Sequence, residues 1–185
     1  MRRILVLAAA LFASRAEAVE EPPYKVVQTW GACELREYPA LTVAETPIGD
    51  RRQGGENRAF RALAGFIFGD NAKSEKIAMT APVIETPGEG GWTMRFTMPQ
   101  DKPLGLLPKP NDARVRTRLA PPARVAVIGF SGWARDADLA AKAHELRACL
   151  AAHGLTPAGP AALAQYDPPW VLGPWRRNEA MVPVQ

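Results

Sequence analysis

The sequence predicts an α+β fold: two helices flanking a mostly antiparallel, strongly curved sheet, with one plan used twice. Three observations carry this. Apolar stripes of helical period begin near residues 56 and 136. Residues 92–98 alternate without a fault between large apolar and polar side chains. A late strand then follows each helix, near 92 and near 176, so the order repeats after about 80 residues although the residues themselves do not.

Each element has a local reason. Residues 33–38 and 41–45 read as strands around the Tyr38-Pro39 break. Gly54 and Gly55 lead into a helix from Glu56 to about Phe68, with Phe60, Leu63 and Ile67 at i, i+3, i+7 and Ala59 and Phe66 beside them. Gly69 stands where a left-handed C-cap glycine belongs, and Asp70 and Asn71 continue the turn. Residues 76–83 (Lys-Ile-Ala-Met-Thr-Ala-Pro-Val) read as an apolar core strand stopped by proline. In residues 92–98, Trp92, Met94, Phe96 and Met98 face one way, and Pro99 ends the strand. Residues 100–112, with Pro103, Pro108 and Pro110, form a stiff link between the halves.

In the second half Val115, Thr117 and Leu119 alternate with Arg114, Arg116 and Arg118, and residues 125–128 form a buried strand ended by Gly129. Asp136 or Asp138 can cap a helix whose stripe is Leu139, Ala143, Leu146 and Leu150, terminated at Gly154. Residues 161–165 and 178–183 are the remaining strand candidates. Between them Tyr166-Asp167-Pro168-Pro169-Trp170 reads as a rigid turn feeding the last strand, together with Arg176-Arg177-Asn178-Glu179.

The N-terminus carries a separate message. Arg2 and Arg3 precede an apolar run over residues 4–13, and Ala16 and Ala18 supply small residues at the cleavage-defining positions. This is the pattern of a secretory signal peptide, with an apolar run too short to span a bilayer. Cleavage after Ala18 leaves a single domain over residues 19–185, with halves of about 24–99 and 112–185, in the periplasm or outside the cell and without an integral membrane anchor. Loss of Arg2, Arg3, Arg15 and Glu17 leaves 20 basic and 18 acidic residues, a net charge of +2, which gives no footing for nucleic acid. Cys33 and Cys149 are chemically free to close a long-loop disulfide in such a compartment, contributing on the order of 4 kcal/mol. A domain of this size needs no staple, so two separately buried thiols are expected.

Convergent catalytic groups are hard to find. His144 and His153 lie nine residues apart on one helix, on opposite faces. His153, in the last turn, suits a helix-capping role, and His144 a solvated one. Cys149 and His153 share a face, yet two ligands from one helix make an incomplete metal site. Gly129-Phe130-Ser131-Gly132 lacks the first half of a nucleophile elbow, and reads as a strand-end turn. The sequence has no phosphate-cradling glycine loop and no dinucleotide fingerprint. The chain is read as a non-enzyme. Arg114, Arg116 and Arg118 recur at about 6.8 Å along one strand face. They could bind anions, but a solvated ladder paired with acids such as Glu34 is the simpler reading. The best ligand surface is the first helix, where Arg58 and Arg61 edge the apolar Phe60, Ala64 and Phe66, a pattern suited to a flat apolar molecule with anionic ends.

Several separated motifs, in order, resemble the SOUL family of heme-binding proteins. They are Asn57-Arg58-Ala59-Phe60, Ile67-Phe68-Gly69-Asp70-Asn71, residues 76–83, Phe130-Ser131-Gly132, and the two C-terminal segments. The resemblance implies a distorted antiparallel β-barrel of two pseudo-symmetric halves with two flanking helices, similar to bacterial small-molecule effector-binding domains. It implies heme held non-covalently in an exposed groove along the first helix. The family's basic groove positions fall on Asn57, Gly65 and Val171 or Leu172, none of them basic in this chain, and its apolar position on Phe60; with Leu172 taken for the last, these form the binding set, to which the helix adds Arg58, Arg61 and Ala64. Glu37 stands where some relatives supply an axial histidine, so ligation by a strong axial group is not implied. The alternative is the same fold binding another apolar small molecule or a protein partner.

Overall fold

The structure, a computed structural model, describes residues 19–49 and 54–185, so the expected signal peptide lies outside the described residues. Nine strands form one sheet: β1 (Lys25–Trp30), β2 (Cys33–Tyr38), β3 (Leu41–Gly49), β4 (Val83–Gly88), β5 (Gly91–Thr97), β6 (Arg116–Ala120), β7 (Ala123–Phe130), β8 (Ala162–Gln165) and β9 (Asn178–Val184). Helix α1 (Gly55–Ile67) follows β3, and α2 (Asp136–Ala152) follows β7. The strand order is β1-β2-β7-β9-β8-β4-β5-β3-β6, and all neighbours are antiparallel.

That order dictates the curvature. β2 and β3 are second and eighth in the sheet, yet only Pro39 and Ala40 join them; β7 and β6 are third and ninth, joined by Pro121 and Pro122. In a flat sheet six strand spacings would span roughly 29 Å, whereas such a link reaches roughly 11 Å. The sheet must curl until its two ends meet. It does not close, which corrects the expected barrel: the ladder stops at edge strands β1 and β6. Prolines occupy both links where the ends approach, and a proline has no N–H with which to extend a ladder. The topology also pairs two units, β2-β3-α1-β4-β5 and β6-β7-α2-β8-β9. The first strand of each lies beside the second strand of the other, β2 on β7 and β6 on β3.

Both helices pack on the outside of the curl. Leu63, Phe66 and Ile67 of α1 bury against Ala44, Ile48, Met94 and Phe96. Leu139, Leu146 and Leu150 of α2 bury against Leu35, Ile128, Ala180 and Val182. Each such side chain contributes about 1.5–3 kcal/mol. The alternate residues of the same strands point inward, where Tyr38, Ile84, Val127 and Met181 form a third cluster.

Several expectations need correction. Residues 76–83 are not a strand. Ile77 donates to the Ile67 carbonyl at the end of α1 and Ala81 to Glu20, while Thr80 bridges to Glu20. The backbone is satisfied by unrelated partners one at a time, and the Ala81-Pro82 bond is cis. β4 starts only at Val83. β7 runs through Gly129 to Phe130, because both pair with β9. Arg135, rather than an aspartate, is the N-cap of α2; Asp138 lies in the first turn and accepts from the Arg135 N–H at 3.0 Å. Cys33 and Cys149 are not separate thiols but a disulfide, Cα atoms 6.9 Å apart, tying β2 to α2. The arginine ladder pairs with Glu45 and Asp112 instead of Glu34, because β6 lies beside β3 and not β2.

Candidate functional site on the first helix

Helix α1 starts and ends for identifiable reasons. Gly54 takes a left-handed conformation, φ 72°, and its carbonyl receives the Arg58 N–H. At the other end Gly69, φ 113°, turns the chain away. Asn71 then locks the exit. Its buried amide donates to the carbonyls of Phe66 (2.9 Å) and Glu75 (2.7 Å), and its oxygen accepts from the N–H groups of Lys73 and Glu75. All the hydrogen-bonding capacity of this side chain goes into shaping the loop, which explains the Gly-Asp-Asn sequence.

Ala59, Leu63, Phe66 and Ile67 form the buried face of α1. Asn57, Arg61, Ala64 and Phe68 fall within a narrow arc opposite, by the 100° step of the helix, with Phe60 on one side and Arg58 and Gly65 on the other. Phe60 therefore does not belong to the buried stripe. It is 37% exposed, its ring held edge-on to Phe96 of β5 with centroids 5.5 Å apart. Phe68 is 60% exposed. Arg61 folds back along the helix, its Nε donating to the Asn57 carbonyl at 3.2 Å. Between the aromatic and guanidinium groups lie two small residues, Ala64, which is buried, and Gly65, against which the Asp70 side chain rests. The arrangement can hold a flat apolar molecule edge by edge and offer cations to its anionic substituents.

Six of the seven residues singled out in the sequence thus share one face of α1. Leu172 does not join them. It lies, 58% exposed, in the turn before β9, where the Gly173 carbonyl accepts from the Gly132 N–H. Glu37 is also elsewhere: on β2 it faces Arg124 at 3.9 Å and lines an open groove of about 570 Å3 with Tyr24 and Pro122. No strong ligand approaches α1 from the remaining candidates. His153 caps α2 and stacks on Trp30 at 4.3 Å, His144 is exposed on α2, and both cysteines are in the disulfide. Among the described residues no group of three or more His, Cys, Asp or Glu could hold a metal ion, and no helix is long and apolar enough to cross a membrane.

The C-terminal motifs have a structural role that their sequence does not disclose. Inside the curl, Arg36 grips Glu179 through two hydrogen bonds of 3.0 and 3.1 Å and Glu34 through a third of 2.8 Å. Tyr166 donates to Glu179 at 2.6 Å, and the Arg177 guanidinium lies 3.6 Å over the Tyr166 ring. Asp167 accepts the Arg177 N–H. Burial pushes the Tyr166 hydroxyl far above its ordinary value, with the Glu179 charge adding to it. Burial alone would lower Arg36, but its hydrogen bonds with Glu179 and Tyr38 raise it on balance. The tyrosine and glutamate of the two tags thus close the β8–β9 turn around a buried arginine of the first half.

Solved structures of similar fold include a hydrolase from Listeria innocua, 13% identical with a TM-score of 0.57, covering 86% of this chain and 94% of that one. The EcmrR C-terminal domain is also 13% identical, with a TM-score of 0.57, covering 88% and 98%. At that identity the likeness concerns the fold alone. In sequence the chain is similar to heme-binding protein 1 of Mus musculus, 29% identical over 180 residues that cover 88% of this chain and 91% of the relative. The match to the family model, SOUL heme-binding protein, runs over residues 19–183, both helices and all but the last residue of the sheet, and on that extent the chain belongs to the SOUL family.

Proposed function

We propose that this protein is an exported, non-enzymatic tetrapyrrole-binding module that holds heme on the outer face of α1 without strong axial ligation. The observation that carries the reading is the outer side of α1, where the exposed Phe60 and Phe68 flank the small, buried Ala64, with Gly65 beside it and the exposed Arg58 and Arg61 at the edge. These residues fit the group: Phe60 and Phe68 would lie against the macrocycle and the guanidinium groups would meet its propionates. Bound there, heme would supply its own redox and ligand-binding chemistry, while the chain contributes orientation and charge. Two features support export. The family match begins at residue 19, directly after the expected cleavage point, and the two cysteines are paired.

Titrating hemin into the purified protein tests the reading. A saturable Soret shift at micromolar hemin is expected, weakened by Phe60→Ala and by Arg61→Ala. Absence of a saturable shift in the unsubstituted protein would falsify it. A second reading, the same face binding another apolar small molecule or a protein partner, is favoured by one observation: both histidines belong to α2 or its cap, away from α1. It predicts a different molecule co-purifying with the protein, identifiable by mass spectrometry.

A further inference from the structure

Arg95 has no place in the α1 site. It lies on β5 between Ile84 of β4 and Glu45 of β3, on the face that points into the curl. Its Nε is buried and has no hydrogen-bond partner, and no ion pair forms to it among the described residues. The Glu45 carboxylate beside it is already engaged at both oxygens by Arg118, at 3.0 and 2.9 Å. Burial, and then the Arg118 charge, lower the Arg95 pKa, so the surroundings as they stand disfavour this cation.

Arg95 faces a cavity of about 80 Å3 inside the curled sheet, beneath the two proline links. Among the described residues it is the one charged group on that wall. Thr97 and Tyr38 are polar neighbours, and Val43, Ile84 and Met181 line the rest. One cation and one or two hydroxyls on an otherwise apolar wall suit an organic anion with a short tail. The volume equals roughly three liquid waters, close to acetate or propionate.

We propose that the interior of the curled sheet is a binding site for a small monocarboxylate, its carboxylate paired with Arg95 and its tail against Val43, Ile84 and Met181. A guanidinium matches a carboxylate in plane and in charge, and in this sheltered position the pair is screened little by salt. The site is independent of α1 and of whatever binds there.

The test follows the arginine Nε–H resonances of the 15N-labelled protein while sodium acetate or propionate is added at constant ionic strength, with acetamide and propionamide as neutral isosteres. The expected result is a saturable shift of the Arg95 resonance with the carboxylates and none with the amides. Arg95→Lys should remove that resonance and weaken binding about tenfold or more, since a point charge replaces the planar fork. No saturable shift, an equal response to the amides, or unchanged affinity in Arg95→Lys would each overturn the proposal. Should Arg95→Lys fail to fold, Arg95 assigned through its own side-chain correlations in the unsubstituted protein decides alone.

Discussion

The two helices occupy equivalent places in the two halves and present opposite surfaces. Both bury a leucine-containing stripe against the sheet. Beyond that, α1 turns Phe60, Phe68, Arg58 and Arg61 outward. The outer side of α2 carries Lys142 paired with Glu145 at 2.8 Å, and Arg135 paired with Asp138 at 3.0 Å. The second helix is also the one fastened covalently, through Cys149 to Cys33. On the proposed reading the same architectural unit has two tasks: one copy offers a face to a ligand, while the other anchors the sheet.

That division can be broken most forcefully at the disulfide. Replacing Cys33 and Cys149 together by alanine should cost about 5 kcal/mol in urea unfolding, given the 116-residue separation of the pair. Hemin affinity should be unchanged, and a parallel loss of affinity would show that the halves are not separable in function. Next comes the buried pair inside the curl. Glu179→Ala leaves Arg36 without its bidentate partner and should cost about 3 kcal/mol or more. Arg118→Ala, which breaks a pair whose arginine side chain is 45% exposed, should cost less than about 1 kcal/mol.

The α1 face should behave in the reverse sense. Phe60→Ala and Arg61→Ala together should weaken hemin binding about tenfold or more and shift the urea midpoint only slightly, because both side chains are exposed. A large stability loss instead would mean that this face is structural. The smallest effect is alkaline. Burial raises both Tyr38 and Tyr166 in the folded protein, and hydrogen bonding to Glu179 adds to Tyr166. Both therefore contribute stability that is complete below about pH 10, the unfolded value, and fades as pH rises above it. Urea midpoints at pH 8 and 11 should differ less in Tyr166→Phe than in the unsubstituted protein.

The legible parts of this molecule in its sequence were those with local causes. The α2 stripe of Leu139, Ala143, Leu146 and Leu150, the glycines at 69 and 154, and the alternation over residues 92–98 all announce their elements. β1 leaves no mark in the sequence because, as an edge strand, it buries none of its residues fully and shows no alternation. Residues 76–83 look like a strand for the opposite reason: they are apolar, but their backbone partners are the end of α1 and Glu20, which sequence does not reveal. The disulfide and the Arg95 cavity depend on which strands become neighbours. Six of the seven proposed ligand residues were legible together because one helical period links them; Leu172, taken from a distant motif, had no such guarantee.

The exchange of first strands between the units has a consequence for how the chain comes into being. β2 is finished at Tyr38 but cannot be paired on its inner side until β7 emerges at residues 123–130. At ordinary synthesis speeds that interval lasts on the order of ten seconds. Neither half can complete its sheet alone, so the nascent chain waits, open, for its own far end. If the chain is exported as proposed, such an enforced delay keeps it unfolded while it is threaded through a membrane.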